Sequence, residues 1–388
     1  MDSPRNSRNS FVWVVVVALA GLWIALGTLI LPAARSHDFL NLYTGASLAL
    51  DGQFADLHDP AAQLERERRY VPGLEAVVPF VRPAFYALML APMALLPFPV
   101  AFVVWIGGQI ALLAACCFWA WRRFGPEASV FTSFFLPAPL GIASGQDCVV
   151  LLALLILSYE LAERGRPAAS GAAMAMMLIK FHLILLWPLA LAIQRRWRML
   201  AAFCAVAAAE VLVCLTAGGM AGIRTYLALL QNKDLSHLSP SPERMIGFEG
   251  LVANLEIHSV WGAAAIVAGV IAIFAFAVAG APLWRTFVLA PAASLLVVPH
   301  VYGYDAALLL LPVWLTIFRS ARPASRIAAT LLATPIPFAF ALAGKPWAVV
   351  SSASLLIFFL ILSSEARNVA ISSLAAETGQ IDNRLPGR

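Results

Sequence analysis

Carboxylates, imidazoles and isolated cations stand out in this 388-residue chain because so little else in it is polar: 61% of its residues are hydrophobic and 12% are charged. Asp38 opens a polar stretch after the first apolar run, with His37 before it and Asn41 and Tyr43 about a turn beyond. Arg82 precedes a proline, Gln146 and Asp147 follow Gly145, Lys180 and His182 flank Phe181, and His300, Tyr304 and Asp305 close the series. An aspartate or histidine can take a proton from a hydroxyl, arginine and lysine can hold an anion, and amides and phenols can orient the hydroxyls of a bound molecule. Each residue also has a plainer reading. Asp38 and Asp147 can cap helices, Arg82 and Lys180 can snorkel to a membrane interface, and Tyr302 and Tyr304 can belong to an aromatic belt. Glu210 lies inside an apolar run, where an ionisable group is costly and is a functional candidate by default; a buried partner or a neutral carboxyl explains it equally well.

Composition decides what kind of scaffold must position these residues. Soluble domains carry roughly 45–50% apolar and 25% charged residues, so a water-soluble fold could not bury the apolar surface present here. The net charge of +5 comes from short basic clusters between apolar runs, the pattern of cytoplasmic membrane loops and not of a nucleic-acid-binding face. The five cysteines, Cys116, Cys117, Cys148, Cys204 and Cys214, show neither paired metal-ligand spacing nor a disulfide framework and read as small core hydrophobes. No His/Asp cluster has the spacing of a metal site and no glycine-rich phosphate cradle is present, so neither a metal nor a nucleotide cofactor is expected.

The fold class is therefore all-α, a polytopic transmembrane helical bundle with about 11–13 membrane segments and juxtamembrane helices outside the cytoplasm. Residues 11–31 contain no charge and are long enough to cross about 30 Å of hydrocarbon, and Arg5 and Arg8 before them place the N-terminus in the cytoplasm. Placing all the basic clusters inside leads to crossings at 98–121, 128–144, 147–162, 199–217, 259–279, 284–299, 304–318, 326–342 and 346–363. That parity holds on two conditions. Residues 84–97, broken by Pro92 and Pro97, must be interfacial or re-entrant, and residues 168–193 must form a hairpin with Lys180 to His182 near its outer apex. A single domain then covers 1–364, with outer segments at 32–83 and 218–258, and a polar tail at 365–388 is expected to lack structure.

This topology places the turns around Ser144 to Asp147 and His300 to Asp305 on the outer side, and all six histidines on that side or at its boundary. Residues 35–52 read as a helix with Ser36 or Asp38 at its start and Gly52 as its stop. Its polar stripe of His37, Asn41, Thr44 and Asp51, set against Phe39, Tyr43, Ala46 and Leu50, suggests a helix lying on the membrane surface. The charge run at 64–70, with Glu65 and Arg69 one turn apart, reads as a solvated helix face.

Several of these motifs recur in one known order. Asp38-Phe39 with Tyr43 and Leu50-Asp51-Gly52, then Arg82-Pro83-Ala84-Phe85-Tyr86, Gly145-Gln146-Asp147, Lys180-Phe181-His182, and Pro299-His300 with Tyr304-Asp305 together resemble glycosyltransferase family 87, a group of GT-C membrane enzymes. The chain departs from the family pattern at Ala84, where a second proline is common, and at Asp147, where asparagine is. The resemblance implies transfer of a hexose, with mannose favoured, from a polyprenyl-phosphate donor to a hydroxyl of a glycolipid or glycan acceptor outside the cytoplasm. The partners it implies are thus that lipid-linked donor, that acceptor and the bilayer, with no nucleic acid, at the plasma membrane of a bacterium. It marks Asp38 as the catalytic base, and Arg82 and Lys180 suit the donor phosphate. His37, Asn41, Tyr43, Gln146, Asp147, His182, His300, Tyr304 and Asp305 remain candidates for substrate contact. A transporter or lipid flippase is the competing reading, although ionisable residues are sparse in the spans.

Overall fold

The computed structural model describes residues 38–231 and 241–382, with side chains as far as Glu365. The expected first span at 11–31 and His37 lie outside the described residues. No strand occurs among the described residues. In chain order the helices are α1 (Asp38–Leu50), α2 (Pro60–Arg68), α3 (Ala84–Leu90, extended as a 3-10 turn over Ala91–Leu95), α4 (Phe98–Phe124), α5 (Glu127–Phe134), α6 (Pro137–Ala143) and α7 (Cys148–Glu163). They continue with α8 (Pro167–Ala175, followed by the 3-10 stretch Met176–Ile184), α9 (Trp187–Ile193), α10 (Trp197–Gln231), α11 (Phe248–Asn254), α12 (Val260–Ala279) and α13 (Leu283–Val297). The 3-10 stretch Gly303–Leu309 leads into α14 (Leu310–Arg319), and α15 (Pro323–Ala333), α16 (Ile336–Ala343) and α17 (Val349–Asp382) complete the chain.

Four helical stretches among the described residues are long and apolar enough to cross a membrane unaided: Phe98–Phe124, Pro167–Ile184, Trp197–Gln231 and Val260–Ala279. The pair α15 and α16, bent by 47°, makes a fifth if it counts as one broken span. That is fewer unbroken spans than the sequence suggested, because prolines cut the apolar runs. Pro137 divides 128–144 into α5 and α6, and Pro335 divides 326–342. At about 1.5 Å per residue, Ala84–Leu95 reaches only about 18 Å and does not span a bilayer alone.

Burial sorts the long helices. In α4, α10 and α12 only 28%, 17% and 22% of the most apolar window is covered by protein, so their outward rows, including Val103, Val104, Val211, Leu212 and Phe276, face lipid. Helices α13 and α14 are covered nearly all round and form the middle of the bundle. Pro167–Ile184 is 56% covered and is interrupted at Lys180, whose φ −126° and ψ 64° are not helical. Gly171 packs directly on the Met199 backbone, so the chain that sets out at Pro167 has returned by α10, with Lys180 at the far turn between them.

Four expectations are corrected. Helix α1 is no surface helix: Phe39, Leu40 and every residue from Leu42 to Ala49 are buried, because α3 and its 3-10 extension pack on one side and α2 on the other. Arg66 ties α1 to α2 by bonding Asp51 (2.6 Å) and Ser47 (2.7 Å), so Arg66 and the fully buried Glu67 are not part of a solvated face, although the exposed Glu65–Arg69 pair is (3.1 Å). Helix α10 passes through a kink at Gly219 (φ 61°) and continues to Gln231, converting the first part of the expected outer loop into helix. Helix α17 likewise runs on through the polar stretch to Asp382, where the alanines among its polar residues favour helix.

Candidate functional site

Four chain segments from distant parts of the sequence meet near one end of α4 and α7. The first is the loop Gly145-Gln146-Asp147 between α6 and α7. Its Gly145 has φ +72°, and a Cβ there would come within 2.7 Å of the Phe39 Cβ, so only glycine lets the loop close against the start of α1. Trp105 of α4 donates its indole N–H to the Gly145 carbonyl (2.9 Å), and Gln109, one turn on, donates to the Gln146 carbonyl (2.9 Å). Asp147 takes the N-cap position of α7 but makes no side-chain cap bond, so the plain reading of it as a capping residue does not hold.

Its carboxylate is used elsewhere. Arg82 donates through Nε to Asp147 Oδ2 (3.1 Å) and through Nη2 to Asp147 Oδ1 (3.3 Å) and Gln146 Oε1 (3.2 Å). Lys180 Nζ reaches Gln146 Oε1 (2.9 Å), Asp147 Oδ1 (3.1 Å) and Asp305 Oδ1 (2.8 Å). Asp305 Oδ2 accepts the Tyr302 backbone N–H (3.1 Å), and the Lys180 ammonium stands 5.3 Å over the Tyr304 ring. Asp147 is 0%, Lys180 3%, Asp305 3% and Arg82 7% exposed. This is a dry, electrically neutral square of two cations and two carboxylates bridged by one amide. Burial is the largest influence and works against the charge on Arg82, but Asp147, Tyr86 and Asp305 together outweigh it and hold the guanidinium more firmly protonated than usual.

The square is not saturated evenly. Three acceptors surround the Lys180 ammonium, whereas the bonds of Arg82 among the described residues run through Nε and Nη2 and none through Nη1. Around the square, His182 and His300 both lie within electrostatic reach of Asp305, Lys180 and Arg82. Asp38, half-buried at the first turn of α1, acts electrostatically on the Tyr304 phenol. The structure therefore brings together Asp38, Arg82, Gln146, Asp147, Lys180, His182, His300, Tyr304 and Asp305. Asn41 is half-buried one turn along α1. Tyr43 turns away: its hydroxyl donates to the Leu96 carbonyl (2.7 Å) and its ring packs on Phe98 and Tyr70, a packing role.

Some residues of this centre escaped the sequence reading. Gln109 is the only uncharged amide within α4, and that signal could have revealed it. The Tyr86 phenol, at the end of the Arg82 to Tyr86 motif but not among the candidates, is buried beside Asp147 without completing a hydrogen bond. His58 Nε2 donates to the Arg82 carbonyl (2.9 Å), and no local signature marks it.

Next to the square lies an apolar cavity of about 390 Å³. Its walls include Pro83 to Phe85, which follow Arg82, and Leu178 and Phe181, which bracket Lys180. A face of α10 from Ala207 through Glu210, Cys214, Gly218 and Gly222 to Tyr226 closes the opposite side. Glu210 is 8% exposed there and neither carboxyl oxygen has a partner among the described residues. A larger, more open depression of about 540 Å³ lies around Glu249, Glu256, His258 and Lys345, and no residue of the square lines it. Among the described residues, no group of three or more His, Cys, Asp or Glu side chains has a metal-binding arrangement.

A model of glycosyltransferase family 87 matches residues 80–301, more than half of the chain. The matched stretch contains Arg82, Gln146, Asp147, Lys180, His182 and His300 and stops short of Asp38, Tyr304 and Asp305. No curated protein and no solved structure matches the chain.

Proposed function

The chain belongs to glycosyltransferase family 87, and on that premise we propose that it transfers a hexose, mannose first among the candidates, from a polyprenyl-phosphate carrier to a hydroxyl of a glycolipid or glycan acceptor. One observation carries the choice of a lipid-linked donor: the apolar cavity is walled by the immediate chain neighbours of Arg82 and Lys180. A molecule with an anionic head and a long hydrocarbon tail fits that juxtaposition, with the tail in the cavity and the phosphate at the Nη1 edge of Arg82. Lys180 lies too deep in its own contacts to donate further. Its part is to keep the square neutral and to hold Asp147 and Asp305 in place, so that a phosphate approaching Arg82 meets no uncompensated carboxylate.

Asp38 is the proposed base. It takes the proton from the acceptor hydroxyl as that oxygen bonds the anomeric carbon from the face opposite the phosphate. The bond between the anomeric carbon and the phosphate oxygen breaks, the electron pair leaves with the phosphate, and the sugar is inverted. The charge that develops on the leaving phosphate is offset by Arg82. His182, His300, Tyr304 and Gln146 are the proposed contacts to the sugar hydroxyls, a role supported by their position around the square.

The charges at the far ends of two helices support one side of the membrane for the site. Helix α4 touches the site through Trp105 and Gln109 and ends at Arg122 and Arg123, about 20–27 Å further along its axis. Helix α7 starts at Asp147 and ends at Glu163, which pairs with Arg123 (3.1 Å) and Arg319 (2.6 Å). The basic end marks the cytoplasm, which supports a site on the extracytoplasmic side. The test is to supply purified protein in nanodiscs with a polyprenyl-phosphate hexose and a hydroxyl acceptor. Release of polyprenyl phosphate with formation of a glycoside is expected. Turnover of a nucleotide sugar alone, or passage of the lipid-linked sugar across the bilayer with no bond cleaved, would overturn the reading.

A further inference from the structure

The backbone that carries Arg82 is suspended on side chains. Residues 78–83 belong to no helix or strand. Glu67 Oε2 accepts the Val78 N–H (3.0 Å) and Gln63 Oε1 accepts the Phe80 N–H (2.8 Å), both from α2. The next two carbonyls are held from elsewhere: the Tyr226 hydroxyl of α10 donates to Val81 (3.3 Å) and His58 Nε2 donates to Arg82 (2.9 Å). Because a carbonyl can only accept, the proton of His58 is on Nε2. Burial lowers the pKa of His58, so near neutral pH the ring is uncharged and acts as a strut and not as a cation for phosphate.

These two struts are also part of the cavity. The rings of His58 and Tyr226 pack on each other with centroids 4.4 Å apart, and both line the cavity together with Pro83 and Phe54. Across from them, Gly218 and Gly222 leave α10 without side chains where it faces Phe54, so the cavity is shaped by how closely α10 approaches the loop that carries His58. Whatever fills this space presses on the same two rings that fix the Val81 and Arg82 carbonyls. A protein interior transmits such a displacement because it is close-packed.

We propose that His58 and Tyr226 are positioning residues that couple occupancy of the cavity by the isoprenoid chain to the placement of Arg82, so that the tail of the donor sets up the contact to its own phosphate. The inference rests on the lipid-linked donor proposed above. It gives the tail a role beyond anchoring: part of its binding energy goes into aligning the guanidinium, and a donor with a truncated tail loses kcat and not only KM. Misplacing a reacting or stabilising group by about 1 Å can cost about 10²-fold in rate, which sets the scale of the effect.

The experiment compares two donors with the same sugar, phosphate and first isoprene unit, one with a geranyl-type and one with an undecaprenyl-type chain, at saturating concentrations in nanodiscs. In the wild type, kcat falls by roughly tenfold or more with the short chain. In Tyr226→Phe, which loses only the hydroxyl, and in His58→Phe, kcat for the long donor falls toward that for the short one. The difference between the donors then shrinks to within about twofold, while the Kd of the long donor stays near the wild-type value. His58→Gln, whose amide nitrogen can occupy the place of Nε2, restores the dependence on chain length, a rescue that a loss of general stability would not show. Equal kcat for both donors in the wild type, or an undiminished chain-length effect in both strut variants, overturns the inference and leaves the donor reading standing. Turnover of a nucleotide sugar with neither lipid donor used overturns both.

Discussion

Replacing Lys180 with methionine tests whether the lysine acts through the square or by touching the donor. Its ammonium makes contacts of 2.8, 2.9 and 3.1 Å, two of them to carboxylates, at 3% exposure. Taken singly, hydrogen bonds to charged groups contribute about 1.5–3 kcal/mol each. They are not additive here, because Asp147 keeps Arg82 and Asp305 keeps the Tyr302 N–H. Breaking a buried pair from one side costs about 3–5 kcal/mol, mostly for the charge left behind, and that is the expected loss for Lys180→Met. The variant also leaves a net buried charge of about −1 beside the place where the phosphate must arrive, so turnover should fall by about 10²-fold. Pairing the change with Asp305→Asn removes that surplus charge. The double variant should return to within about 1–2 kcal/mol of wild-type stability and recover most of the lost turnover. Unfolding in detergent by denaturant titration and donor turnover in nanodiscs read the two quantities separately. A double variant no more stable and no more active than Lys180→Met would refute the reasoning, since a lysine that binds the phosphate directly cannot be rescued by removing Asp305.

Three further outcomes follow from the same geometry. Asp38→Asn keeps a residue suited to a helix start but cannot take a proton, so transfer should drop by about 10²–10⁴-fold while donor affinity and unfolding are unchanged; near wild-type transfer would move the base elsewhere. Glu67, pushed up to about 7 by burial against the opposing Val78 N–H bond, holds its proton more tightly folded than unfolded, so it costs stability as pH rises from about 4.5 to about 7. Glu67→Gln should flatten that fall, worth about 1–2 kcal/mol after solvent screening, and an unchanged slope of melting temperature against pH would count against it. Gly145→Ala sets a Cβ against Phe39 at positive φ, so it should lower both melting temperature and turnover, whereas Gly52→Ala, with open space around it, should cost melting temperature alone. Equal turnover losses at the two glycines would break the link drawn between Gly145 and the site.

Composition and local pattern settle the class of the protein and single out the polar residues that could serve a site, because both are local properties. Apolar runs must be helical in lipid, where no water can satisfy the backbone, so an all-helical bundle follows from composition. Polar residues in such a chain are costly enough that Asp38, Arg82, Gln146, Asp147, Lys180 and Asp305 stand out individually. What those residues do to one another was decided only by the tertiary structure. Lys180 and Asp305 are 125 residues apart, and Arg82 and Asp147 are 65 apart, so no spacing rule reports that these cations and carboxylates meet in one buried cluster. The same holds for α1, whose two-sided pattern suggested a surface helix: the stripe describes the helix, but what covers its polar side is set by α2 and α3 folding over it. His58 is the clearest case. Nothing beside it in the chain marks it, and its part comes from a carbonyl 24 residues away and a tyrosine ring on a helix far along the chain, both delivered by packing.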